Sequence, residues 1–413
     1  MNNVRRLIVG GLFAVPILVG LGACTPREVV PPPPAEPKLE ISATNFAALP
    51  GWVQDDQAAA YETFRISCTA MIRRDRNAAW SLGPISGTNA DWINICQQLQ
   101  PKVTAAEARA FFERNFTPLA ISDGGKTSAK DSGMITGYFV PELKGSRTQS
   151  ARFSTPLYRR PPDLVTADLS AFREEFKGKS ITGRVEGNRF VPYPPRAIIE
   201  KGELAGKKLE ILWVDDPIET FITHIQGSGR VVLENGESIG VGYDAQNGQA
   251  YRAIGRDLVE RGVATASEMN LDVIVNWLRA NPKEAQEVMN KNPSYVFFRE
   301  IKGPGPIGSQ GVPLTPGRSL AVDRKFHSMG MPIWLDTTYP AKNPQAGQPL
   351  RRLMIAQDTG GAIVGVVRGD FFWGLGPQAR AGAGEMKQQG KFYVLVPANS
   401  LRLSQITGSQ ILF

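Results

Sequence analysis

The chain has 413 residues, enough for two or three domains, and 42% of them are apolar, an ordinary share for a packed body. Its formal charge is +8, but lysine and arginine are scattered among acidic residues without a long basic run, which argues against nucleic acid as a partner. Only two histidines occur, His224 and His327, too far apart for a paired-histidine zinc motif, so neither a metal nor a cofactor is expected.

The N-terminus carries Arg5-Arg6, an apolar run from Leu7 to about Gly20, then Leu21-Gly22-Ala23-Cys24. A basic head, a short apolar run and small residues before a cut predict a secretory signal over 1–23 rather than a membrane span. Leu-Gly-Ala-Cys resembles the lipobox of bacterial lipoproteins, which implies a lipidated Cys24. Thr25 in place of an aspartate favours the outer membrane, with the body facing the periplasm of a Gram-negative cell. Residues 24–44 are assigned to a proline-rich tether (Pro31 to Pro34), extended at ~3 Å per residue. The remaining cysteines, Cys68 and Cys96, suit a disulfide in an oxidising compartment; two buried thiols are the alternative.

Residues 55 to 74 place Tyr61, Phe64, Cys68, Met71 and Ile72 at helical spacing. Thr104-x-x-Glu107 is a capping box opening a second helix, expected to pack on the first. Residues 134 to 141 (MITGYFVP) read as a strand, as do 209–214, 220–225 and 230–233. Helices are expected over 251–261, over 271–280 behind the Asn270 cap, and from Asn281-Pro282 onward. A strand follows at 294–299, a Gly-Pro boundary at 303–306, and strands with turns from 319 to 396. The fold class expected is mainly β, as two β-rich bodies with helices at the N-terminus and in the middle.

Candidate chemistry lies in AQDTGGAIVGVVRGDFFWG, residues 356 to 374. Asp358 follows an apolar strand, and Asp370 precedes Phe371-Phe372-Trp373, although aspartate is depleted in strands and costly to bury. Asp358-Thr359-Gly360 resembles the aspartic-protease triplet, but that chemistry needs two such triplets or a homodimer; the chain has one triplet, and nothing else in it suggests a dimer. Gly227-Ser228-Gly229 lacks the spacing of a hydrolase serine elbow.

This stretch resembles the C-terminal part of the lytic murein transglycosylase A family. So, in family order, do ITGYFVPE (135–142), HIQGSGR (224–230), VGYDAQNGQAYRAIGR (241–256), NPSYVFFR (292–299) and LTPGRSLAVDR (314–324). The last blocks also resemble the 3D module of cell-wall enzymes, whose three aspartates would be Asp323, Asp358 and Asp370. The spacing of 12 between Asp358 and Asp370 is one residue longer than the family's, near Arg368-Gly369.

The resemblance implies a double-psi β-barrel domain with a second β-rich domain inserted, and a glycan groove between them. In numbers, 45–142 would hold the N-terminal helices and the first part of the barrel. The insert would be 143–302, and 303–413 the catalytic 3D part. It implies cleavage of the β-1,4 bond between N-acetylmuramic acid and N-acetylglucosamine by Asp370 as acid, then base. Asp358 would support it, and Asp323 would be structural. Trp373, with its neighbours, would desolvate the acid and stack on sugar. Thr136 and Tyr138 would line the groove; Gln226, Ser228, Gly229, Tyr243, Asn247, Tyr251 and Arg252 would bind substrate. The partners implied are peptidoglycan strands, the outer membrane and a cell-wall remodelling complex. A non-catalytic peptidoglycan-binding lipoprotein and a muramidase-type hydrolase are the rival readings.

Overall fold

The computed structural model describes residues 36–400 except 126–129, 304, 342 and 344. Cys24, the signal segment and the run Pro31 to Pro34 lie outside the described residues.

The strand Leu39–Ala43 pairs antiparallel with Phe116–Asp123, Ile41 opposite Ile121. The assigned tether therefore ends before residue 39: Leu39 and Ile41 alternate with Glu40 and Ser42 and pack on the core, which an extended leash does not do. Next comes the helix Gln57–Met71, capped by the Asp56 carboxylate on the Ala58 N–H. It sets Tyr61 against Phe111 of the helix Ala105–Asn115, edge to face at 5.0 Å, and Phe64 against Phe112 at 6.0 Å. The capping box is formed, Glu107 Oε2 accepting from the Thr104 N–H at 2.7 Å. The disulfide Cys68–Cys96 is present and ties the first helix to a short one, Asn89–Cys96.

Six strands close into a barrel: Gly133–Val140, Lys387–Pro397, Pro332–Thr338, Pro349–Asp358, Ser319–Val322 and Gly369–Leu375, the last returning to the first. Phe116–Asp123 and Leu39–Ala43 extend it from the Lys387–Pro397 strand. The N-terminal helices cover the barrel and share one core with it, including Phe64, Phe112, Trp334 and Phe392.

A second, six-stranded sheet runs Val296–Ile301, Ser238–Gln246, Ser228–Leu233, Glu142–Ser146, Glu210–Val214 and Thr155–Tyr158. Its helices Pro217–Gln226, Gly255–Glu260, Leu271–Ala280 and Pro282–Asn290 pack together with Ala379 and Ala383 of a helix from the C-terminal part, Gly376–Glu385. A small sheet, Val165–Asp168, Ser180–Glu186 and Arg189–Pro192, completes this part.

Three expectations are corrected. Residues 220–225, read as a strand for their β-branched residues, lie in the helix Pro217–Gln226. Asp216 Oδ1 accepts from the N–H groups of Ile218 and Glu219, Pro217 sits in the first turn, and Gly227 stops it at φ 74°. Of 251–261 only Gly255–Glu260 is helical, because the Arg252 N–H is drawn to Asn292 Oδ1 at 3.1 Å. The helix Gly376–Glu385 interrupts the strands expected to 396; its Gly and Ala residues carry no apolar stripe, but they allow close approach. A Cβ on Gly137 would lie 2.8 Å from the Ala383 Cα.

Candidate active site

One short strand brings both aspartates together. Ala321, in Ser319–Val322, stands opposite Asp370 in an antiparallel pairing and opposite Asp358 in a parallel one, across a register shift. On the far side of Asp370, the strand Gly133–Val140 runs parallel and places Thr136 opposite Asp370 and Tyr138 opposite Phe372. The Thr136 hydroxyl donates to Asp370 Oδ1 at 2.6 Å. The Tyr138 hydroxyl donates to Asp358 Oδ2 at 3.1 Å. Asp358 Oδ1 accepts from the N–H groups of Ser309 and Thr359, each at 2.9 Å. Thr359 is itself fixed by its hydroxyl on the Val322 carbonyl at 2.8 Å.

Beneath the carboxyls sits a separate apolar cluster of Tyr138, Val140, Leu314, Ala321, Ile363 and Phe372. Both carboxyls are half-buried above it. Burial pushes Asp370 up to about 6; the Thr136 hydroxyl and the Arg368 guanidinium pull it back, and the Asp358 charge adds to the rise. Burial also raises Asp358, but hydrogen bonds from Ser309, Thr359 and Tyr138 oppose it. Tyr138 is driven well above the ordinary phenol range, first by burial and then by the two carboxylates, so it remains a donor. The environments differ: at Asp358 several donors oppose the rise that burial causes, whereas Asp370 has one side-chain donor and an apolar floor.

A cleft of about 900 Å³ opens beside Thr136. Gly137, Phe139 and Gln226 form one wall; Asn270, Tyr339 and the segment Glu385 to Gln388 form the rest. Its walls come from the barrel, from the helical part and from the turn after Pro332–Thr338, and its polar groups suit a hydrated, hydroxyl-rich ligand.

Residues 134–299 match the MltA specific insert domain, and residues 318–396 match the 3D domain. The chain is 37% identical to the membrane-bound lytic murein transglycosylase A of Vibrio cholerae over 65% of its own length and 66% of that protein. It is 30% identical to the Escherichia coli protein of the same name, over 69% and 72%. The chain belongs to the membrane-bound lytic murein transglycosylase A family, a family of enzymes. A solved membrane-bound lytic murein transglycosylase from Agrobacterium tumefaciens superposes with a TM-score of 0.76 at 33% identity, over 88% of this chain and 99% of that one.

Other residues that the family resemblance singled out fall in several places. Thr136, Tyr138 and the aspartate pair converge as described. Gln226 lines the cleft, but its side-chain carbonyl accepts from the Phe139 N–H at 3.1 Å, so it also holds the strand that carries Thr136. Ser228 and Gly229 are buried at the start of a strand and form no exposed polar turn; a Cβ on Gly229 would lie 2.8 Å from Thr223 Cγ2. Asn247 is wholly buried: its amide N–H groups go to the Pro194 and Pro293 carbonyls, both at 2.9 Å, and its oxygen accepts from the Tyr295 N–H. It is a structural clamp, with no atom left for a sugar.

Tyr243, Tyr251 and Arg252 are exposed and do not line the cleft; Arg252 pairs with Asp257 at 2.9 Å. Trp373 does not line the cleft: it is half-buried, Gly382 lies against its ring, and its N–H points to the Met386 sulfur at 3.3 Å. Asp323 is buried and holds a loop, accepting from the Gly365 N–H at 2.8 Å and the Lys325 N–H at 3.0 Å.

Sequence reasoning did not find Ser309, which acts on Asp358 through its backbone N–H and its hydroxyl from a loop with no local pattern. Arg368, noted in the sequence only for the spacing, is buried, donates to the Met134 and Gly369 carbonyls, and is one of the two charged groups acting on Asp370.

Proposed function

We propose that this protein is a lytic transglycosylase that cleaves the β-1,4 bond between N-acetylmuramic acid and N-acetylglucosamine of peptidoglycan and leaves a 1,6-anhydromuramyl end. One observation carries the reading: a carboxyl raised to about 6 stands over an apolar floor and beside a polar cleft. Asp370 protonates the departing glycosidic oxygen. As a carboxylate it then accepts the proton of the muramyl C6 hydroxyl, which attacks its own anomeric carbon. Intramolecular attack carries a high effective molarity, so no second carboxylate is needed to activate water. Asp358, whose donors favour its carboxylate form against the effect of burial, is placed to steady positive charge developing on the sugar. Thr136 orients Asp370.

The same reading makes the barrel a double-psi barrel with an inserted second domain, divided near residues 142 and 303. It also anchors the chain by a lipidated Cys24 to the outer membrane, where a wall-remodelling complex would be its company.

The test is mass spectrometry of muropeptides released from purified sacculi by the full chain in detergent. Products about one water lighter than reducing muropeptides, absent with Asp370→Asn, are expected. Reducing ends would mean hydrolysis, and binding without release would mean a non-catalytic wall-binding protein; either result rejects the proposal.

A further inference from the structure

The Ser67 hydroxyl lies on the N-terminal helix, and it is wholly buried. It donates to the side-chain carbonyl of Gln310 at 2.8 Å and accepts from the amide of Gln357 at 2.8 Å. These two glutamines flank the groups that hold Asp358. Gln357 immediately precedes Asp358 in the chain, and Gln310 follows Ser309, whose N–H donates to Asp358 Oδ1 at 2.9 Å. The Gln310 N–H closes the figure on the Gln357 carbonyl at 3.1 Å. Gln357 is wholly buried too; its amide also reaches the Thr63 carbonyl at 3.2 Å, and its oxygen accepts from Ser319. Ser319 begins the strand that sets Ala321 opposite both carboxyls. Gly308 must be bare for the loop to lie this close, since a Cβ there would sit 2.5 Å from the Gln357 carbonyl oxygen.

We propose that Ser67 is a positioning residue for the reaction: through Gln310 and Gln357 its hydroxyl fixes the Ser309 N–H against Asp358, and thereby sets the charge standing beside Asp370. This rests on the reading of Asp370 as the acid. A fully satisfied buried network of this kind has one low-energy arrangement, and deleting its central hydroxyl strands two amide groups. The Ser309 loop then loosens while the barrel strands keep their ladder.

The sign of the effect follows from what faces each acid. Asp358 meets the Tyr138 hydroxyl, the N–H groups of Ser309 and Thr359 and the Ser309 hydroxyl; Asp370 meets Arg368, Asp358 and the Thr136 hydroxyl. Losing the Ser309 donor makes Asp358 easier to protonate. A less charged Asp358 repels the Asp370 carboxylate less, so Asp370 loses its proton at lower pH.

The measurement is the pH profile of kcat/KM for anhydromuropeptide release by the full chain, with Ser67→Ala, Gln310→Leu and the double variant, melting curves taken alongside. Both single variants should move the alkaline limb down by roughly half a pH unit and lower kcat several-fold with KM little changed. The double variant should move it no further than one of them. Ser67→Thr, which keeps the hydroxyl, should restore the limb. Gln310 is half-buried in a loop, so its variant decides the matter if Ser67→Ala fails to fold. Variants that melt lower but keep the limb at its normal place would reduce Ser67 to packing and overturn the proposal. A parent enzyme with no alkaline limb would instead remove the acid reading on which it rests.

Discussion

The surroundings of Asp370 oppose its charge, which is what the proposed acid role requires, and that opposition has a thermodynamic signature. Its folded pKa of about 6 lies above the unfolded value of 3.8, so between these values the native state holds the proton more tightly. The contribution of Asp370 to stability is therefore fully present below about pH 4 and is lost as pH rises through about 6. Asp370→Asn removes the penalty: above pH 7 the variant should be more stable than the parent by about 1–3 kcal/mol, with no gain at pH 4, as measured by urea melts at both pH values. At Thr136 the sign reverses. Thr136→Val deletes a donor to the ionised acid, so the alkaline limb of the rate profile should move up by roughly half a unit to one unit, read from initial rates. Sequence made Asp370 and Thr136 legible because both sit inside family-like blocks. It misplaced Trp373 for a reason that strand alternation explains: Asp370 and Phe372 share one face of their strand, while Phe371 and Trp373 occupy the other. The aromatic trio is one cluster in the chain and two in space.

Among elements, the N-terminal helices matter to the site more than their distance in sequence suggests. Arg318, just before the strand of Ala321, holds Asp55 bidentately at 2.8 Å with both side chains buried. Asp55 also accepts from the Leu353 N–H at 2.9 Å, so one carboxylate pins the helix start to two barrel strands. Removing one partner leaves a buried charge, and Asp55→Ala should cost about 3–5 kcal/mol in denaturant unfolding. The disulfide closes a 28-residue span, and Cys68→Ala with Cys96→Ala should lower stability by roughly 3 kcal/mol in the same assay. Helices with explicit caps, at Thr104 and Asn270, were readable from single residues, and the first helix from its apolar spacing. The helix Pro217–Gln226 also had its cap, Asp216, and its Pro217; the β-branched residues Ile222, Thr223 and Ile225 concealed it.

Across the whole molecule, the barrel and the helical part meet through Arg380, whose guanidinium donates to Glu219 at 2.6 Å, while Arg279 reaches Glu219 at 3.0 Å and Asp216 at 2.9 Å. Glu219 is mostly buried between two cations. Arg380→Ala leaves Glu219 with Arg279 as its remaining cation and should lower stability by about 1–3 kcal/mol in denaturant unfolding. The meeting of the parts was not legible, because no local pattern records which remote strands become neighbours. That remoteness reaches the acid itself: Asp370 and its hydrogen-bonding threonine are 234 positions apart, and the tyrosine on Asp358 is 220 positions away. A nascent or clipped chain that ends before the final strands has Thr136 and Tyr138 but no acid for them to hold. Such contacts close late and slowly in folding. Until the last strands have folded back onto Gly133–Val140, Thr136 and Tyr138 have no carboxyl to hold, and the acid pair is not assembled.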